Sequence, residues 1–174
     1  GIVPTSSTVA QLSLGDALAI ASMRYKKFDK LDFKKFHPSG SLGKKLQTVE
    51  DLMFTGKKIP IINENTKMKS ALKIISDKKL GVLIIKNKKG FTTGICTDGD
   101  IKRAIQKNKN LNDILIKKIM THKPIFVQKN ILAAKALLLM NEKKITSLCV
   151  NSEKIKNKTI GIIHIHQILK SGVQ

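Results

Sequence analysis

GICTDGDIKR at 94–103 and GIIHIHQILK at 161–170 stand 67 residues apart and read alike: a glycine opens a β-type run, a turn follows, and a helix begins. Upstream, Met68, Ala71, Leu72 and Ile75 occupy the i, i+3, i+4, i+7 positions of one helix face, and the set returns 65 residues later as Ala133, Ala136, Leu137 and Met140. Both faces lead through a lysine pair, Lys78-Lys79 or Lys143-Lys144, into the apolar runs VLII (82–85) and SLCV (147–150). VEDLM (49–53) and IKKIM (116–120) again stand 67 apart, and the polar loop NSEKIKNKT (151–159) absorbs the two extra residues. Each unit therefore reads as a lead-in, a short strand near Ile61-Ile62 or Phe126-Val127, a helix, two strands and a closing helix. The expected fold is α/β (α+β), a β-α-β-β-α pattern made twice.

A unit of about 55 residues buries too little apolar area to stand comfortably alone, whereas two packed face to face share a core and form clefts related by pseudo-twofold symmetry. Such clefts are where a ligand sits. Over about 49–172 the chain resembles the tandem cystathionine β-synthase (CBS) domain pair, whose halves close with a strand ending Gly-hydrophobic-x-Thr/Ser-x-x-Asp. Gly94-Ile95-Cys96-Thr97-Asp98-Gly99-Asp100 fits every position of that pattern.

Thr97-x-x-Asp100 has two readings. One is a capping box, in which hydroxyl and carboxylate satisfy the first turn of the helix and no ligand is needed. The other uses the helix start and the hydroxyl for a phosphate and the carboxylate for ribose hydroxyls, the roles these two residues take in CBS pairs that bind adenosine nucleotides. Asp98 is counted with this set. In the second copy His164 replaces the hydroxyl residue and Gln167 the carboxylate, which leaves at most one good ribose-phosphate site. His164 and His166 alternate with Ile163 and Ile165, but no nearby carboxylate or thiol completes a metal set, and no metal is expected.

Composition sets outer limits. Lys plus Arg number 33 against 12 Asp plus Glu, a formal +21, yet Arg24 and Arg103 are the only arginines and aromatics make up 4%. The arginine and aromatic signature of nucleic-acid readout is missing, and lysines spread along the whole chain suit solvated faces, with weak attraction for any polyanion. No apolar run approaches the roughly 18 residues of a membrane span. Cys96 and Cys149 each lie in an apolar run, as buried thiols in a reducing cytoplasm would. The chain opens on Gly1 within an apolar stretch and reads as part of something longer.

Residues 1–46 have no partner in the repeat. Pro4-Thr5-Ser6-Ser7-Thr8 reads as a helix entry, with Leu14, Ala17, Leu18, Ala21 and Tyr25 on one apolar face; a second short helix passes through Leu31, Phe33 and Phe36. In FHPSGSLGKKL (36–46), Pro38, Gly40 and Gly43 are expected to break regular structure and expose His37. PTSSTVAQLSLGDALAIA, then HPSGSLGKKL, then a CBS pair resembles the C-terminal part of the D-arabinose 5-phosphate isomerases, in which a sugar isomerase (SIS) domain precedes the pair.

That resemblance implies three segments: 1–46 as the helical end of a SIS domain, 47–112 as the first CBS repeat and 113–174 as the second. It also implies interconversion of D-ribulose 5-phosphate and D-arabinose 5-phosphate, the entry to Kdo and lipopolysaccharide. The histidine of the family's His-Pro-x-Gly-x-Leu-Gly segment, an active-site residue, falls on His37, and Ser39 stands where many members have glycine. Proton transfer between C1 and C2 through an enediol requires placed acids and bases and no cofactor. The family's other catalytic groups lie upstream of Gly1, so this chain is expected to be inactive alone. The alternative is a free-standing CBS module without an enzyme attached. The expected regulatory ligand is an adenosine nucleotide or CMP-Kdo. The expected assembly is a dimer through the apolar faces at 68–75 and 133–140, a tetramer in the full-length enzyme, with no specific nucleic acid and no membrane.

Overall fold

The computed structural model describes residues 2–36, 40–107 and 110–173, and the chain divides into two compact units, Gly1–Leu46 and Gln47–Gln174. The first unit holds α1 (Ser6–Tyr25), α2 (Lys30–Phe36) and α3 (Gly40–Lys45). The twenty-residue α1 has the expected length, but none of its residues is buried, and Leu12, Leu14 and Leu18 are each at least 60% exposed. Phe28 and Phe36 stack at 6.0 Å, and α2 starts at a reciprocal box in which the Asp29 and Asp32 carboxylates accept each other's backbone N–H. Gly40 and Gly43 were expected to interrupt regular structure; both instead lie within α3. The candidate His37, with Pro38 and Ser39, lies outside the described residues.

The second unit runs α4 (Val49–Leu52), β1 (Phe54–Thr55), β2 (Ile61–Asn63), α5 (Met68–Lys78), β3 (Val82–Lys86), β4 (Thr92–Thr97) and α6 (Asp98–Lys107). It then repeats as β5 (Thr121–His122), β6 (Phe126–Val127), α7 (Ala133–Lys143), β7 (Ser147–Asn151), β8 (Thr159–His164) and α8 (Ile165–Lys170). Two four-stranded sheets result, ordered β2-β3-β4-β5 and β1-β8-β7-β6. The lead-in strands are exchanged. β1 pairs antiparallel with β8 of the other repeat (Phe54 opposite Ile162) and β5 with β4 (Thr121 opposite Ile95), so equivalent residues meet equivalent partners. Glycine at 94 and 161 permits this approach. A Cβ on Gly94 would lie 2.8 Å from the Thr121 carbonyl, and one on Gly161 would lie 3.2 Å from that of Phe54. On the pseudo-twofold, Thr92 and Thr159 share a buried 2.6 Å hydroxyl bond.

The apolar run at 82–85 is buried on both faces, which is why it does not alternate with polar residues. Leu83 and Ile85 pack with Met68, Ala71 and Ile75 of α5 in the first repeat's core, while Val82 and Ile84 face the other sheet, against Cys149 and Ile162. β7 divides likewise: Leu148 and Val150 join Ala133, Ala136 and Met140 of α7 in the second repeat's core, and Cys149 joins the shared one. The helix faces at 68–75 and 133–140, expected to be left over for a second copy, are therefore mostly spent on the repeats' own cores. What α6, α7 and α8 leave more than half exposed is Ile105, Leu138 and Leu169.

Candidate functional site

Each repeat's closing turn, where a strand passes into a helix, faces the segment that enters the other repeat's central strand. On one side of the pseudo-twofold this forms a cleft of about 530 Å³, lined by Thr97, Asp98, Asp100 and Arg103 at the start of α6, by Thr121 of β5, and by Lys144, Ile145, Thr146 and Ser147 leading into β7. Leu80, Gly81, Ile95, Gly99, His164 and His166 complete it. The mate is smaller, about 270 Å³, lined by Phe54, Lys79, Leu80, His164, His166 and Gln167. Thr97, Asp98, Asp100 and His164 thus share one cleft, and Gln167 faces the other.

Thr97 and Asp100 form a complete capping box. The Asp100 carboxylate accepts from the Thr97 N–H and the Thr97 hydroxyl, both at 2.8 Å, while the Asp100 N–H donates to the Thr97 hydroxyl at 3.3 Å. Its other oxygen accepts from Arg103 at 2.5 Å and from the Thr121 hydroxyl at 3.0 Å. Burial by itself raises the carboxyl, but the bonds from Thr97, Arg103 and Thr121 outweigh it and hold Asp100 below the usual carboxylate range. The Asp98 N–H donates to the Gly81 carbonyl at 3.1 Å, so the helix start offers fewer open donors than its sequence promised.

Thr48 and Asp51 build the same box at α4, with bonds of 2.6 and 2.7 Å, and line neither cleft. The local pattern by itself is capping; its place in the larger cleft is what distinguishes Thr97-x-x-Asp100.

In the second copy, His164 caps α8 through its ring: Nδ1 accepts the His166 N–H at 3.2 Å. Burial, and then the neighbouring His166, lower the His164 pKa, so near neutral pH its ring is uncharged, with Nδ1 the acceptor and the proton on Nε2. The imidazoles of His164 and His166 lie 5.0 Å apart and line both clefts. Among the described residues no group of three His, Cys, Asp or Glu side chains could hold a metal ion, and no helix is long and apolar enough to cross a membrane.

A CBS domain family model matches residues 49–107 and again 116–173. This chain belongs to the CBS domain family. The CBS pair is also homologous, with the helices before it, to arabinose 5-phosphate isomerase KdsD of Yersinia pestis, at 39% identity over 99% of this chain and 52% of that protein. The chain thus spans about half the length of the curated relatives it matches. In fold, the CBS pair is similar to CBSX2, solved in complex with AMP (TM-score 0.61, 23% identity, 72% of this chain and 95% of that one). It is also similar to the CBS domain pair of protein MJ0100, solved with 5'-methylthioadenosine and S-adenosyl-L-methionine (TM-score 0.64, 22% identity, 72% and 94%).

Sequence reading alone missed Arg103, Thr121, Lys144 and Ser147. Arg103 follows Asp100 at i+3, a spacing that brings side chains together on any helix, and so was legible. Thr121 reaches the carboxylate through strand exchange, which leaves no local signal.

Proposed function

We propose that this chain carries the regulatory CBS pair of an arabinose 5-phosphate isomerase, and that its larger cleft binds an adenosine nucleotide or a nucleotide sugar such as CMP-Kdo. The observation that carries this reading is the asymmetry between the clefts. Only the larger one joins a hydroxyl-carboxylate helix start to basic groups, Arg103 and Lys144. Its volume lies within the range of small-molecule sites. The adenosine ligands of CBSX2 and MJ0100 support the ligand class, and the KdsD homology supports the enzyme.

A ribose hydroxyl that reaches Asp100 must displace the Thr121 or Arg103 donor, because all four acceptor positions are taken. The released guanidinium is then available to a phosphate. Binding would proceed by exchange of partners rather than by filling a vacant carboxylate. Thr97 and Asp98 would flank the phosphate end, His164 would offer its Nε2–H, and Gln167 would remain outside in the smaller cleft.

In this reading residues 1–46 are the helical end of a SIS domain, 47–112 and 113–174 are the two CBS repeats, and His37 belongs to the isomerase site. The exposed apolar α1 fits a helix that packs against the rest of such an enzyme. A second copy is the proposed partner, with a cytoplasmic setting that suits two free buried thiols. Light scattering of the purified chain checks the assembly: a mass near 19.3 kDa at all concentrations rules it out.

Calorimetric titration with AMP, ATP and CMP-Kdo tests the site. Asp100→Ala is expected to weaken the bound ribonucleotide about tenfold, at the low end for a hydrogen bond to a charged group because partners are exchanged. Gln167→Ala should leave affinity unchanged, and the opposite pattern would move the site to the smaller cleft.

A further inference from the structure

The internal twofold gives each residue of one cleft a counterpart in the other, and at the entry to the central strand those counterparts differ. Val82 opens β3 and Ser147 opens β7, and both are buried, 1% and 6% exposed. Val82 spends its burial on apolar contact in the core shared by the two sheets. The Ser147 hydroxyl is buried without a hydrogen-bond partner, and Ser147 is one of the residues that line the larger cleft. Ser147 pairs across the ladder with His164, whose Nδ1 is already committed to the His166 N–H. The same cleft also carries three apolar side chains, Leu80, Ile95 and Ile145.

A buried hydroxyl without a partner lowers stability, and the first repeat avoids that cost with valine at the same place. The orphan group and the hydroxyl-carboxylate helix start are independent departures from the internal symmetry, and both fall in the same cleft.

We infer that Ser147 reads the base of the ligand: its hydroxyl donates to an acceptor on the edge of a planar heterocycle seated among Leu80, Ile95 and Ile145. The inference rests on the nucleotide reading of the larger cleft and adds the group that recognises the base. Asp100 and Thr121 face the ribose, and Arg103 with Lys144 faces the phosphate. The ligand class is a ribonucleoside phosphate whose base presents a hydrogen-bond acceptor, and a sugar phosphate without a base gains nothing from Ser147.

The test compares the full chain with its Ser147→Ala variant by thermal melting without ligand and by calorimetry with AMP, ATP, CMP, CMP-Kdo and ribose 5-phosphate. The melting temperature of Ser147→Ala is expected to equal or exceed that of the wild type, because an unsatisfied buried group has been removed. The affinity of whichever nucleotide the wild type binds should fall about tenfold, with ribose 5-phosphate affected less than twofold. Val82→Ser, which places a second orphan hydroxyl in the first repeat, should lower the melting temperature and leave nucleotide affinity intact. Wild-type binding of any of these nucleotides that survives Ser147→Ala overturns this inference while leaving the nucleotide site standing. Equal weakening of nucleotide and ribose 5-phosphate, or a melting temperature lowered by several degrees, also overturns it, since either marks a structural role. If the wild type binds none of AMP, ATP, CMP and CMP-Kdo, the nucleotide reading itself fails and Ser147 falls with it.

Discussion

Replacing Asp100 by alanine removes an acceptor that the Thr97 N–H, the Thr97 hydroxyl, Arg103 and the Thr121 hydroxyl share in the absence of any ligand. The Thr97 hydroxyl still accepts the Asp100 backbone N–H in the variant, so the N-cap bond itself survives. The part-buried Thr97 N–H, left without its acceptor, costs about 1 to 3 kcal/mol. The Arg103 pair contributes less than about 1 kcal/mol, because the guanidinium is 65% exposed and water takes over its donors. The expected loss is about 1 to 4 kcal/mol, a fall of about 4 to 15 °C in melting temperature for a cooperative unit of this size.

Far-ultraviolet circular dichroism under heat or urea is the assay, since the chain has no tryptophan and its single tyrosine, Tyr25, lies in the other unit. Asp51→Ala in the box at α4 is the matched comparison, and exposed Asp98 at the same helix start should cost only about 0.3 to 1 kcal/mol. The pH dependence has a definite sign. The folded Asp100 carboxyl is held below its ordinary value, so its stabilisation is complete above about pH 4 and fades as pH falls through the lowered folded value. Asp100→Ala should therefore flatten the acid limb of the stability profile and leave the slope near neutrality unchanged. A loss under about 1 kcal/mol, or one no larger than that of Asp98→Ala, would refute the capping argument.

Three further outcomes follow from the packing. Gly94→Ala should cost about 1 to 3 kcal/mol in urea denaturation and more than Gly161→Ala, because the opposing carbonyl stands at 2.8 Å rather than 3.2 Å from the added carbon; equal losses would argue against close strand approach as the reason for glycine. A double-mutant cycle with Thr92→Val and Thr159→Val should give a coupling of about 0.5 to 1.5 kcal/mol across the pseudo-twofold, and zero coupling would remove that bond from the account. Burial pushes both the Cys96 and Cys149 thiols up to about 12, so neither should react with a disulfide reagent at pH 8 until the protein is unfolded. Rapid labelling of a native thiol would contradict their place in the core.

The repeat, the order of elements and the core faces were legible in the sequence because each leaves a local or periodic trace. Helix spacing at 68–75 and 133–140, all-apolar runs in doubly covered strands, and a glycine within each closing strand all report on backbone geometry that neighbouring residues share. The asymmetry between Thr97-Asp100 and His164-Gln167 was equally plain by alignment of the chain with itself. Other features depend on residues far apart in sequence, and only the tertiary structure decided them. Strand exchange places Thr121 on Asp100 and so fills a carboxylate that looked open to ribose. Apolar faces that looked surplus are used internally, because each repeat packs its helices onto its own sheet. Residues 40–45 form a helix despite two glycines, whose helix cost is a weak preference that context overrides. Ser147 looks like an ordinary strand residue in SLCV; that its hydroxyl is buried and unpartnered at the wall of the larger cleft follows from the tertiary packing around it, and a linear sequence holds no record of that.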